Sequence, residues 1–178
     1  SGENNTYRFV HLLLRDFLAF NFAVNVAPKM NVRIRLKVAK MLGQLGDRRA
    51  IPHLIGMLHD EAVRKHAVTS LIDVGELRIE YLLDAVLDED IHVRNNIAYV
   101  LGRMKDNRAV PKLIEAFHDT DPRMRISVVE ALGDIGDERA IPTLEIAKAY
   151  DEEPLVRRSV EKAIERIRTP QPPTALEA

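Results

Sequence analysis

LGDIGDERAIP fills residues 132–142, and LGQLGDRRAIP fills residues 42–52, ninety residues earlier. A catalytic loop is rarely duplicated so faithfully, whereas a structural unit copied along a chain is. Taking Arg35, Arg64, Arg94, Arg125 and Arg157 as anchors, with spacings of 29, 30, 31 and 32, brings the surrounding residues into register. Each anchor follows an apolar residue: Ile34, Val63, Val93, Met124 or Val156. Leu42, Leu71, Leu101, Leu132 or Ile164 comes seven residues later, and Asn31, Asp60, Asp90, Asp121 or Glu153 stands four residues before. A period near 31 accommodates two short helices and two turns, the unit of an α-solenoid. The echo is three units long and marks architecture.

One unit can be read residue by residue. Asp121-Pro122 is a helix start, because the carboxylate caps free N–H groups and proline suits the first helical position. Glu153-Pro154 repeats it with a poorer cap that still favours the positive end of a helix. Met124, Val128, Leu132 and Ile135 then follow the three-and-four spacing of one buried stripe. Gly136 ends that helix, and Asp137 opens the turn to the next. Pro142, Pro52 and Pro111 lie in first turns, where a lost N–H costs little.

These signals predict helices over 31–45, 50–59, 61–74, 78–88, 91–105, 109–119, 122–135, 140–150 and 154–168, with another before residue 27. The repeats run over about 30–59, 60–89, 90–120, 121–152 and 153–168. The second departs from the pattern, with Tyr81 for the proline and Ile72 for the glycine, so a local change in packing is expected there. Ser1-Gly2 reads as a cloning remnant and residues 169–178 as a disordered tail or linker. Residues 3–29 hold four of the five phenylalanines, as a capping helix over the end of the stack would. The alternation from Phe20 to Val26 leaves a second possibility: a segment that docks on another domain or a second copy.

The totals narrow the function. Among 178 residues, 46% are hydrophobic and 30% charged, and 26 Lys plus Arg balance 27 Asp plus Glu for a net charge of −1. That balance argues against a dedicated nucleic-acid binder, though not against a local basic patch. Without cysteine there is no disulfide, zinc–thiolate site or thiol nucleophile. The longest apolar region, Phe9 to Ala27, carries His11, Arg15 and Asp16, which argues against a membrane span. With no signal peptide evident, a cytoplasmic location is expected.

The pattern Asp-x-x-Val-Arg, followed by Ala-Leu-Gly-x-Ile-Gly-Asp-x-Arg-Ala-Ile-Pro, resembles the HEAT-like repeats first noted in phycobilisome lyases. Asp121–Pro142, Asp90–Pro111 and Val32–Pro52 carry it best, and it extends over about residues 30–168. The resemblance implies an all-α, right-handed solenoid of about five antiparallel helix pairs, HEAT/armadillo-like, whose second helices line a concave surface. Deoxyhypusine hydroxylase resembles the same repeat but carries iron-binding His-Glu pairs just after the Val-Arg. Here those positions read Leu36-Lys37, Lys65-His66, Asn95-Asn96, Ile126-Ser127 and Arg158-Ser159, so that di-iron site is not expected.

Other clusters have plainer readings. His59-Asp60 and His118-Asp119 fit helix ends, with histidine at the negative pole and Asp capping the next helix. Arg49, Arg78, Arg108 and Arg139 recur fourteen residues after the anchors, beside Asp47, Glu76, Asp106 and Asp137. Those neighbours favour ion pairs that tie one repeat to the next; an anion track is the alternative.

The positions left free by the buried stripe are the candidate binding residues. They are Lys37, Lys40 and Gln44, then His66, Thr69 and Asp73, then Asn96, Tyr99 and Arg103. Ser127, Glu130 and Asp134 come next, and Ser159, Lys162 and Arg166 complete the row. Its sign changes along its length, which suits a protein or peptide better than a uniform polyanion. Tyr99 beside Arg103 is the candidate hot spot, and an ordinary solvated face is the competing reading. No catalytic set, metal cluster or cofactor is expected. The leading function is a non-catalytic interaction scaffold or adaptor. A phycobilin-lyase or chaperone subunit is the first alternative. Nucleic-acid binding through Lys37, Lys40, Arg158, Lys162 and Arg166 is the second.

Overall fold

Capping decides where the helices begin. Asp60, Asp90 and Asp121 each accept a hydrogen bond from the backbone N–H two residues on, at 3.1, 2.8 and 2.8 Å. Glu153 does the same for Leu155 N–H at 3.4 Å, the weaker cap its longer side chain predicts. The computed structural model describes residues 31–45, 48–75 and 79–169, and every regular element among them is helical. Residues 1–29 and the tail beyond Thr169 lie outside these residues, as do Asp47, Glu76 and Arg78.

The chain divides into two compact units, Ser1–Val74 and Gly75–Ala178. In the first, α1 is Val32–Leu45, α2 is Ile51–Gly56 and α3 begins at Glu61 and ends at Gly75. In the second, α4 (Glu80–Leu83), α6 (Val110–Ala116) and α8 (Ile141–Tyr150) are first helices. Their partners are α5 (Ile91–Met104), α7 (Pro122–Ile135) and α9 (Pro154–Arg168). Helices α5, α7 and α9 pack one against the next, and α6 and α8 pack on α7 and α9.

Most predicted bounds hold to within a residue or two. The helix expected over 109–119 stops at Ala116, that over 50–59 turns to 3₁₀ after Gly56, and one further difference is systematic. The first helices at Ile51, Val110 and Ile141 are each preceded by a 3₁₀ turn, Arg48–Ala50, Asn107–Ala109 and Glu138–Ala140. Asp106 and Asp137 cap two of these turns by accepting from Arg108 and Arg139 N–H, both at 2.9 Å. Pro52, Pro111 and Pro142 stand in the first α-turn that comes after. In the second repeat, where Tyr81 stands for the proline, α4 is a single turn continued as 3₁₀ through Asp84–Leu87.

The apolar stripes are buried. Met124, Val128 and Leu132 are inaccessible to solvent, as are Leu42, Leu71 and Leu101. Ile135, read as the end of its stripe, is only half-buried; it borders an open groove between the ends of α5 and α7. The glycine that follows Leu42, Leu101 and Leu132 has a packing role. A Cβ on Gly102 would lie 2.8 Å from Ala131 Cα, and one on Gly133 would lie 3.0 Å from Ala163 Cβ. Within the first unit, a Cβ on Gly43 would lie 2.7 Å from the buried Ser70, whose hydroxyl donates to Ala39 O at 2.8 Å. Consecutive second helices therefore touch almost backbone to backbone at these points.

The anchor arginines bind successive turns together. Arg125 donates from Nη1 to the carbonyls of Asp119 and Thr120 (3.0 and 3.2 Å). From Nε and Nη2 it donates to the carboxylate of Asp151 (2.8 and 3.0 Å). Arg94 likewise donates to the Asp88 and Glu89 carbonyls, both at 2.8 Å, and pairs with Asp119 at 2.8 Å. Arg35 pairs with Asp60 at 3.0 Å. Asp60 thus both caps α3 and holds Arg35. In the second unit the two tasks are split, with Asp119 holding Arg94 and Asp121 capping α7. The expectation that Asp119 caps the next helix is corrected accordingly. The two extra residues account for the longer spacing there.

Candidate functional site

The residues expected on the free face fall on three lines, two, five and nine residues after each anchor. Lys37, Lys40 and Gln44 of α1, and His66, Thr69 and Asp73 of α3, are exposed in the first unit. In the second unit Tyr99, Arg103, Glu130 and Lys162 are exposed, while Asn96, Ser127, Asp134, Ser159 and Arg166 are half-buried. The stripe assignment is correct: none of these side chains enters the core.

Hydrogen bonding separates them further. Asn96 Nδ2 donates to His92 O at 2.6 Å, Ser127 Oγ to Arg123 O at 3.1 Å, and Thr69 Oγ1 to Lys65 O at 3.2 Å. These donors are satisfied within their own helices. Arg166 Nη1 pairs with Asp134, joining α9 to α7 on the outermost line. Arg103, Glu130 and Lys162 make no hydrogen bond or ion pair among the described residues, and Tyr99 is 53% exposed. Among the exposed candidate residues of the second unit, the uncommitted groups are thus an aromatic ring, one acid and two bases.

The strong electrostatics lie in the turns. Asp121 is held down at about 2 by hydrogen bonds from the Arg123 side chain and backbone. The side chains of Arg108 and Arg139 likewise hold Asp106 and Asp137 below the usual carboxylate range. Burial pushes Asp151 up, but hydrogen bonds from Arg125 and Glu153 N–H bring it below its ordinary value. Shifted groups of this kind mark functional sites or structural ion-pair networks; every one of these acids is bonded to an arginine, so they belong to the second class. Arg108 also reaches Glu80 at 2.7 Å, and Arg139 donates to Asn107 O at 2.9 Å, which ties neighbouring turns together. Arg108 and Arg139 are therefore engaged in structural ion pairs of the turns.

An open groove of about 580 Å³ runs between Met104–Asn107 and Ile135–Asp137. Its two carboxylates are those of Asp106 and Asp137, already engaged by arginine. Among the described residues no three His, Asp or Glu side chains converge as metal ligands. No described helix is long and apolar enough to cross a membrane.

One surface escaped the sequence reading. Ile146, Tyr150 and Leu155, at the terminal pair, are 64, 81 and 60% exposed. A signal was available: counting from Pro111 and Pro142, Ile146 occupies the position that Glu115 holds one repeat earlier.

No curated protein sequence matches the chain. Solved structures do. The complex of CpcE and CpcF of phycocyanin lyase from Nostoc sp. PCC7120 matches with a TM-score of 0.60 and 20% identity. That match covers 83% of this chain and 99% of the other. A structure concerning microtubule plus-end tracking by XMAP215, CLIP-170 and EB1 matches with a TM-score of 0.57 and 18% identity. It covers 84% of this chain and 72% of that one. At such identities the likeness shows an all-α repeat solenoid and nothing of activity. The sequence itself matches HEAT repeats over residues 22–90 and 79–165. Capped helix pairs, glycines at the helix contacts and arginine-tied turns are what that pattern encodes: the chain belongs to the HEAT repeat family.

Proposed function

We propose that the chain is a non-catalytic scaffold or adaptor that binds a protein or peptide on the face formed by its second helices. The observation that carries this reading is the distribution of bonding capacity. Most charged groups in the turns are engaged with one another, whereas Arg103, Glu130 and Lys162 have no partner among the described residues and the ring of Tyr99 is exposed. Tyr and Arg at the centre of a surface supply much of the energy of protein recognition. The absence of cysteine fits a reducing, cytoplasmic setting. Photo-cross-linking in the native cell tests the surface. p-Benzoylphenylalanine replacing Tyr99 should give a discrete adduct, whereas the same probe replacing the exposed Leu87, on a first helix, should not. Adducts from Leu87 alone would refute the assignment.

The likeness to the CpcE and CpcF complex favours a second reading, a bilin-lyase or chaperone subunit. Mixing the chain with phycocyanobilin and an apo-phycobiliprotein, and finding no spectral change, would dismiss it.

A further inference from the structure

We infer that α9 closes the stack: its outer flank is built to face water, and no further helix pair, whether from the same polypeptide or from a second copy, packs on it. The residues of α9 carry this, independently of the binding face proposed above.

Three second helices show how a flank is made for stacking. α1, α5 and α7 each meet the following second helix through a glycine, Gly43, Gly102 or Gly133, eight residues after the anchor arginine. One turn earlier on the same side stand Ala39, Ala98 and Val129, all inaccessible to solvent. The residue next to the anchor, Leu36, Asn95 or Ile126, is half-buried. Small or apolar groups along this side let one helix backbone come close to the next. At the same three positions α9 carries Arg158, Glu161 and Glu165, and all three are exposed. A helix laid against them would bury two carboxylates, which is strongly unfavourable without partners. Their side chains would also hold it beyond the distance at which Gly102 and Gly133 meet their neighbours.

Two ion pairs cross the seam between the last two helices. Lys148 of α8 pairs with Glu161 at 3.6 Å, and Arg168 of α9 pairs with Glu145 of α8 at 2.9 Å. Both are exposed, so they contribute little stability and mark this seam as solvated. The anchor of the last repeat is consistent with a stack that ends here. Arg94 and Arg125 each give one edge of the guanidinium to an acid of the following turn, Asp119 or Asp151. Arg157 keeps the turn-carbonyl bonds, from Nη1 to Asp151 O and Glu152 O, but its Nε and Nη2 meet no acid among the described residues. Arg157 alone would accept such an acid; Glu161 and Glu165 exclude the helix pair that would bring it.

The consequence is for assembly. A repeat stack whose last flank stays apolar invites its own extension, because each unit needs only a neighbour's face, and terminal units with a polar outer face prevent this. A partner therefore does not join the chain as a further repeat on α9.

Sedimentation velocity of the full chain and photo-cross-linking test this. Arg158→Ile with Glu161→Val and Glu165→Gly gives α9 the residues that α7 turns toward its neighbour, Ile126, Val129 and Gly133. That variant should associate into a species of roughly twice the wild-type mass, flank on flank, the commonest arrangement of two copies. Keeping glutamate at position 161 while changing the other two should abolish the association. p-Benzoylphenylalanine replacing Glu165 in the native cell should give no discrete adduct, and this measurement decides the matter if the triple variant fails to fold. A folded triple variant that sediments as the wild type does, or a discrete adduct from position 165, would overturn the inference. So would a wild-type association that Glu165→Arg abolishes. None of these results bears on cross-links from position 99, so the binding face stands or falls separately.

Discussion

Gly102→Ala adds one methyl group where α5 meets α7. The new Cβ would lie 2.8 Å from Ala131 Cα and 3.1 Å from Ala131 Cβ, so a backbone atom has to move. Overpacking of this kind costs about 1–3 kcal/mol. Replacing glycine by alanine inside a helix returns about 1 kcal/mol through propensity. The balance is a net loss of up to about 2 kcal/mol, or a fall in Tm of up to several degrees, at about 2–4 °C per kcal/mol for a chain of this size. Urea denaturation followed by tyrosine fluorescence is a suitable assay, because three of the four tyrosines, Tyr81, Tyr99 and Tyr150, belong to the second unit. The m-value should stay constant while the midpoint falls. Adding Ala131→Gly should give only partial recovery, since the tighter contact is with the Cα. Gly56→Ala is the control: nothing lies within 4 Å of its added Cβ, so the propensity gain stands unopposed and stability should rise by up to about 1 kcal/mol. A Gly102→Ala chain stabilised as Gly56→Ala is would mean that the second helices do not touch as described.

Arg125→Ala removes hydrogen bonds to Asp151 and to two turn carbonyls and should lower stability by about 2 kcal/mol, with lysine a poor substitute. Arg123→Ala, at a side chain 73% exposed, should lower the urea midpoint only slightly, because solvent screens its pair with Asp121. Leu101→Ala, fully buried, should cost about 2–5 kcal/mol. Lys40→Glu, on the exposed face of α1, should cost under about 0.5 kcal/mol; equal effects would mean the stripe is rotated. Asp121, at about 2, stays ionised in the folded chain where an unfolded Asp, near about 3.9, takes up a proton. Its stabilisation is complete above the unfolded value and disappears as pH falls from about 4 to about 2. Urea midpoints in that window should show a shallower loss for Asp121→Asn. Tyr99→Ala with Arg103→Ala should abolish partner cross-linking from a probe at position 130 while leaving the circular dichroism melt unchanged.

Within the described residues, the sequence by itself determined where the helices lie and which side of each is buried. Asn, Asp or Glu four residues before each anchor, proline in the first turn and an apolar residue every three or four positions are local instructions. Capping and amphipathicity act over only a turn or two, so a single chain displays them. It also marked the candidate face by subtraction, because side chains outside the stripe have to meet water or a partner.

Tertiary structure decided what lies farther apart. That Arg125 reaches Asp151 and Arg94 reaches Asp119 depends on how closely one turn stacks on the next, which no periodicity states. The same holds for the face: Lys162 and Arg166 read alike in sequence, but Arg166 finds Asp134 across a helix contact and Lys162 finds no partner among the described residues. Ile135 kept the right spacing yet lay beside a groove, and Ile146 is exposed although it too is apolar. Burial is set by the neighbouring helix, whereas spacing records only the helix to which a residue belongs.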